Sequence, residues 1–378
     1  MDTRLNKVLV ICLFILFFLL SDIYYQAVGR IFDYIAILIF LGMWVFNFHS
    51  FRSFQRSYIV SASLLLVFIV FPWLLMGVLN ESVLASAALL IGLAFVFPLS
   101  YYFTCCGLRS SVEKSVNLLI LLNALVLLGT YLTYHIFGVF FDIPSIFGSI
   151  ESRALNVPLN YFRPSGIYQE PNAYCTVMFS LLAACSFMEK RSRAVEILGI
   201  ITIALTKSLW GMGSILLLVY LLYGIRGLRN TAIVVITLFY TATLSTDISI
   251  DSIAERSVTV SRVVNLSDDP SRQARYGDVE NVSFNIFFFI GHGVDSKNFQ
   301  SLAANGIAFM IYCFGFIGSI IVFVYLLALN RANHKHMLAI VFLLSTYPLF
   351  SYMYFWFWLG ITLAFIRSSP KIRTIASA

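Results

Sequence analysis

Charge is the scarcest feature of this chain. Only 11% of its 378 residues are Asp, Glu, Lys or Arg, against about 25% in soluble domains, and this excludes an ordinary water-soluble fold. Proline is sparse too, with nine residues, so little interrupts the apolar runs. The six cysteines, Cys12, Cys105, Cys106, Cys175, Cys185 and Cys313, are scattered without metal-ligand spacing or pairing in a secreted segment. That excludes a disulfide scaffold and a thiolate metal centre, and they read as small core hydrophobes. The first apolar run follows Arg4 and Lys7 but has no small-residue cleavage site after it, so no cleavable signal peptide is expected.

Apolar side chains fill the sequence instead, at 60% of residues with a mean hydropathy of +0.88. Apolar windows alternating with short polar loops imply an all-α polytopic membrane protein, a single integral membrane domain over residues 1–378. The windows predict about twelve spans, near 8–21, 31–48, 58–79, 83–103, 116–141, 171–188, 194–206, 209–224, 231–245, 306–329, 337–350 and 352–366. The seventh and eighth are short and flank TKSLWGMG, the pattern of a hairpin that does not fully cross.

The net charge of +7 is explained by topology rather than by nucleic acid. With both termini cytoplasmic, sixteen of the 25 basic residues fall in short inner segments: Arg4, Lys7, Arg52, Arg56, Arg109, Lys114, Lys190, Arg191, Arg193, Arg226, Arg229, Arg331, Lys335, Arg367, Lys371 and Arg373. This is the positive-inside pattern. Seven of the other nine lie in two outer loops, Arg153 and Arg163 in 142–170, and Arg256, Arg262, Arg272, Arg275 and Lys297 in 246–305. Cations held outside against that trend point to an anionic partner there. Lys207 is the only basic residue set well within apolar surroundings.

In the first outer loop, YFRPSGIYQEPN combines a Pro164–Gly166 turn with a helix start at Glu170, Pro171 and Asn172. A carboxylate at that position is favoured by the helix dipole. Arg163, seven residues upstream, either folds back on Glu170 as a loop-closing ion pair or serves a ligand. The second loop is too long for a connector. Arg272 and Arg275 share a helical face at a spacing of three, and NIFFFI leads to Gly291, His292 and Gly293, glycines that permit close backbone approach to a bound group. His292 is either an ordinary loop histidine or a catalytic one; it lacks a second metal ligand at suitable spacing. His334, Lys335 and His336 read as cationic dressing of an inner loop, and Asp268 and Asp269 as turn residues before Pro270.

RPSGIYQEPN opening a span, SLWG between two short spans, the arginine-bearing outer loop, and FIGHGVDS leading into NGIAFMIYCFGFIG together resemble the bacterial O-antigen polymerase and O-antigen ligase superfamily. The likeness covers roughly residues 150–330. It implies an enzyme of the bacterial cytoplasmic (inner) membrane, acting at the outer face on oligosaccharide carried by undecaprenyl pyrophosphate. It implies no cofactor and no metal, because the lipid pyrophosphate is already a leaving group. Polymerases of this kind carry arginines in two outer loops, each followed by a glycine. Here fifteen residues separate Arg275 from Gly291, while Arg163 and Gly166 match more loosely. Ligases place a histidine before the frame that Asn305, Gly315 and Gly318 fit, and this chain has Ala304 there.

A polymerase for O antigen, capsule or exopolysaccharide is therefore the expectation, with an O-antigen ligase or a lipid-linked oligosaccharide flippase as alternatives. No internal repeat of the kind flippases show is visible. On the resemblance, Arg163, Arg272 and Arg275, with Gly291 and Gly293, bind substrate, and Glu170 and His292 are the candidate catalytic bases. Expected partners are the lipid-linked oligosaccharide, the bilayer, and a chain-length regulator and flippase. Nucleic acid is not among them.

Overall fold

The computed structural model describes residues 4–19, 32, 34–43, 91–146, 154–156, 161–246, 288–289, 291, 306–329, 333–345 and 352–368. Among these the architecture is helical, apart from one antiparallel pair of two-residue strands. The elements are α1 (Arg4–Leu19), α2 (Tyr34–Met43), α3 (Phe97–Phe103, between π-helical segments Gly92–Val96 and Thr104–Leu108), α4 (Arg109–Phe137), β1 (Leu155–Asn156), β2 (Tyr161–Phe162) and α5 (Pro171–Cys185). They continue as α6 (Arg193–Leu205), α7 (Leu209–Thr246), α8 (Gly306–Leu329), α9 (His334–Leu344) and α10 (Met353–Ser368).

Arg109–Phe137, Trp210–Ile233 and Phe309–Leu329 are long and apolar enough to cross a membrane, and shorter apolar helices accompany them. Two of the three are not continuous rods: α7 breaks at Gly224 (φ 70, ψ −167) and α8 at Gly315 (φ 68, ψ 175). The window at 58–79 lies outside the described residues, as do most of 246–305.

The centre of the bundle is α5. All of its residues except Asn172 are buried, as befits a helix that is apolar all round, and α4, α6, α7, α9 and α10 pack against it. Two of its buried hydroxyls are satisfied within the helix, Thr176 Oγ1 donating to the Asn172 carbonyl (2.9 Å) and Ser180 Oγ to that of Thr176 (2.8 Å). Trp358 of α10 donates its indole N–H to the Ser180 carbonyl at 2.7 Å. A second apolar centre forms where Phe14 and Phe17 of α1 and Phe40 of α2 surround Phe357 of α10, with ring centroids 4.9–5.9 Å apart.

Side-chain bonds fix the helix directions. The start of α5 meets the end of α6 and the start of α7 (Tyr174 with Thr202, Asn172 with Ser208), while the loop after α5 meets the start of α6 and the end of the first half of α7 (Arg191 with Glu196 and Leu222). So α5 and α7 run parallel and α6 antiparallel between them. α4 also runs against α5, since Glu113 near its start accepts from Glu189 N (3.0 Å) and Tyr134 near its end stacks on Phe162 at 4.1 Å. Arg109, Arg191 and Lys335 are thereby gathered at one end of the bundle, and Arg163 and Lys207 at the other.

The Gly224 break leaves helix carbonyls without their intrahelical donors. Arg191 donates to the Leu222 carbonyl (3.2 Å) and Lys335 Nζ to that of Leu221 (2.9 Å), cations placed where the helix dipole favours them. This corrects the reading of residues 334–336 as cationic dressing. Lys335 caps a broken helix, His334 Nε2 lies 3.2 Å from Tyr220 Oη, and His336 is fully buried with Nε2 2.7 Å from Thr362 Oγ1. The first turn of α9 faces the bundle, so its polar groups are used internally. The cysteines divide: Cys175, Cys185 and Cys313 are buried as expected, Cys12 is half-buried and Cys105 is exposed.

Candidate functional site

The end of the bundle that gathers Arg163 and Lys207 is built on the segment 161–172. Its upstream arm is held by the β1–β2 pair and by the Arg163 amide, which donates to the Ala154 carbonyl at 2.8 Å. Phe162 is buried among Tyr134, His135 and Phe140. The chain then turns at Gly166 (φ 61), with Tyr168 N donating to the Ser165 carbonyl (3.1 Å). Tyr168 is fully buried, and its hydroxyl lies 2.8 Å from Asn123 Oδ1 and 3.0 Å from the Phe18 carbonyl. One phenol thus ties the loop to both α4 and α1.

Glu170 has extended dihedrals (φ −129, ψ 144), and Pro171 follows at the first helical position with its φ already suited to a helix. The EPN stretch then meets the TKS turn between α6 and α7. Ser208 Oγ donates to Asn172 Oδ1 and accepts from Gly211 N at 3.2 Å, which caps α7. Thr206 Oγ1 lies 3.2 Å from Cys175 Sγ and also accepts from Ser208 N at 3.2 Å. Arg163 is close enough to act electrostatically on the same Cys175. The N-termini of two parallel helices, each carrying partial positive charge, therefore stand side by side with Arg163 and Lys207 next to them.

Lys207 itself is held at φ 52, which among the described residues no other non-glycine shares in sign. A lysine in that left-handed region costs about 1–3 kcal/mol, a cost offset by the bonds of Thr206 and Ser208 on either side. The sequence marked Lys207 only as a basic residue in apolar surroundings and passed over Thr206 and Ser208. A cation in a tight turn between two short spans was the available signal.

Of the expected site residues, Arg163 and Glu170 come together at this end, both half-buried. Gly291 is described, and its role is legible. At φ 84, a Cβ added there would strike the Cys313 carbonyl and the backbone of residues 314–315, while one on Gly315 would strike the Phe289 carbonyl. Two glycines with left-handed φ face each other, and the close approach they permit is between two segments of the chain's own backbone. Arg272, Arg275, His292 and Gly293 lie outside the described residues. No protein-family model matches this chain, and no curated protein matches it.

A guanidinium, an ammonium and two helix N-termini make a region suited to an anion. Glu170 beside it is the nearest described carboxylate in the chain sequence to that turn of α5, and so a candidate proton acceptor.

Proposed function

We propose that this chain is a polysaccharide polymerase that transfers glycan from undecaprenyl pyrophosphate to another lipid-linked repeat unit. It does so at the outer face of a bacterial cytoplasmic membrane, as a protein of about twelve spans with both termini inside. The observation that carries the reading is the meeting of EPN and TKS at the start of α5 and α7, with Arg163 and Lys207 beside it. An end of a helical bundle that is rich in donors suits the pyrophosphate of a lipid-linked donor substrate, and the apolar helices around it suit its isoprenoid.

In the reaction, an acceptor hydroxyl oxygen attacks the anomeric carbon of the donor sugar. The bond from that carbon to the pyrophosphate oxygen breaks, and its electron pair leaves with the pyrophosphate. Guanidinium groups stabilise the charge that develops there without titrating near neutral pH. Arg163 takes this role from the first loop, and Arg272 and Arg275 from the second. Glu170 or His292 accepts the proton of the attacking hydroxyl. No nucleotide sugar enters the reaction.

The test is deletion of the gene followed by electrophoresis of the surface glycan. The expected result is glycan limited to one repeat unit on its final acceptor, because flipping and ligation continue without polymerisation. Accumulation of lipid-linked polymer with no surface product would overturn the reading in favour of a ligase.

A further inference from the structure

We infer that residues 163–172 form a re-entrant segment lining a water-filled recess, open at the outer face, whose floor lies about 10–16 Å below the hydrocarbon surface. The inference rests on the chain spanning a membrane in the orientation given above, and not on the reaction proposed for it.

α4 runs unbroken from Arg109 to Phe137 and serves as a ruler for depth. Lys114, exposed near its start, marks the inner boundary of the hydrocarbon. A core of about 30 Å, at about 1.5 Å per residue, puts the outer boundary about twenty residues later, at Tyr134. Phe162 stacks on Tyr134 and so lies at that surface, and beyond it the chain descends. At Gly166 an added Cβ would lie 3.7 Å from the Leu127 Cβ, seven residues before Tyr134 and about 10 Å below it. The Tyr168 hydroxyl reaches Asn123 at 2.8 Å, eleven residues before Tyr134 and about 16 Å below it. Pro171 then starts α5 without a return to the surface. The neighbouring helix gives the same depth. Gly199 of α6 packs on Ile120, whose Cγ2 an added Cβ would meet at 3.1 Å. Thr206, seven residues further along α6 and bonded to Cys175, therefore lies about 10 Å below the level of Tyr134.

Residues 163–170 are not helical, and irregular backbone at membrane depth persists only where protein buries it or water reaches it. Both occur here. Pro164, Ser165, Gly166 and Tyr168 are buried, whereas Arg163, Gln169 and Glu170, with Asn172 and Lys207 beside them, are partly exposed. Ionised side chains exposed at such a depth face water rather than acyl chains. The segment is tied to α1 and α4 through Tyr168 and to the α6–α7 turn through Asn172, so water reaches its polar residues from the outer face. Such a recess admits a hydrophilic chain to groups held below the membrane surface.

The experiment compares Gln169→Cys with Leu125→Cys in the full-length protein, in a background carrying Cys105→Ala and Cys106→Ala. Leu125 lies on α4 at the depth of the recess floor but is 53% exposed on the outside of the bundle, so it reports the lipid at that level. Intact spheroplasts are treated with a membrane-impermeant trimethylammonium methanethiosulfonate, and the mass of the purified protein gives the fraction modified. Gln169→Cys should react about tenfold or more faster than Leu125→Cys, because the reacting thiolate forms in water and not among acyl chains. With a nitroxide on the same cysteines, a water-soluble nickel relaxant should dominate at position 169 and oxygen at position 125. If Gln169→Cys does not fold, Ile167→Cys, also partly exposed, carries the same comparison. Equal reaction rates would overturn the inference, as would oxygen dominating at both positions, which means lipid fills the space, or weak collisions with both relaxants at position 169, which means dry protein does. Labelling of position 169 only in inverted membranes would overturn the outward opening and the proposed orientation together. A deletion strain with unchanged surface glycan would remove the polymerase reading and leave a labelled recess standing.

Discussion

Replacing Glu196 with alanine should be among the most damaging single changes at the end of the bundle opposite the candidate site. Glu196 is fully buried and receives Arg191 through both arms of its guanidinium, Nε to Oε1 at 2.8 Å and Nη2 to Oε2 at 2.9 Å. Tyr223 adds a third donor at 3.0 Å. Breaking a buried pair by removing one partner costs about 3–5 kcal/mol. The Arg191 side chain is 27% exposed and recovers part of its hydration, which lowers the expected loss to about 2–4 kcal/mol. Glu196→Gln keeps the shape and the Tyr223 bond and should lose less, about 1–2 kcal/mol. Arg191 also holds the Leu222 carbonyl at the Gly224 break, so Arg191→Ala should destabilise too. In the double variant the two losses should overlap by more than about 1 kcal/mol. Equilibrium unfolding in mixed micelles, followed by far-UV circular dichroism, measures all four proteins. A Glu196→Ala protein within about 0.5 kcal/mol of wild type, or strictly additive losses, would refute the reasoning.

Three further outcomes follow from the same structure. Tyr168→Phe removes a buried hydroxyl from Asn123 and the Phe18 carbonyl and should cost about 1–3 kcal/mol, read in the same unfolding assay. Gly315→Ala places a methyl group on the Phe289 carbonyl at φ 68 and should cost about 2–4 kcal/mol; Gly291→Ala should match it, with the double variant less than additive, and full additivity would argue against the shared contact. Alkaline phosphatase fused after residue 150 or 270 should be active and after 191 or 333 inactive, and an inactive fusion at 270 would end the proposed topology.

The helical character was legible in the apolar runs, three of which form helices long and apolar enough to cross a membrane. The window at 194–206 and the helix Arg193–Leu205 nearly coincide, and the cations Arg109, Arg191 and Lys335, assigned to one side by the charge rule, do share an end of the bundle. The break at Gly224 falls at the end of the expected window 209–224, just before Arg226 and Arg229, whereas the break at Gly315 lies inside the window 306–329 and was not legible. Hydropathy runs through Gly315, and only its contact with the distant Gly291 segment explains why the helix yields there. His336 was misread for the same reason, since nothing near it in sequence announces Thr362. At the candidate site, EPN was visible as a helix start, but its partner TKS carries no motif of its own. The bond from Asn172 to Ser208 joins residues 36 apart.

The central claim is that cationic side chains at the α5 and α7 starts act on a lipid pyrophosphate during glycan transfer. The most direct measurement is the chain length made from purified undecaprenyl-pyrophosphate-linked repeat units by wild type, Arg163→Lys and Arg163→Ala proteins at matched folded amounts. If Arg163 clamps the leaving pyrophosphate, alanine should slow transfer by about 10²-fold or more, and lysine should restore little, because an ammonium cannot reproduce the planar fork. Wild-type chain lengths from Arg163→Ala would contradict the account, as would a wild-type protein that joins no repeat units at all.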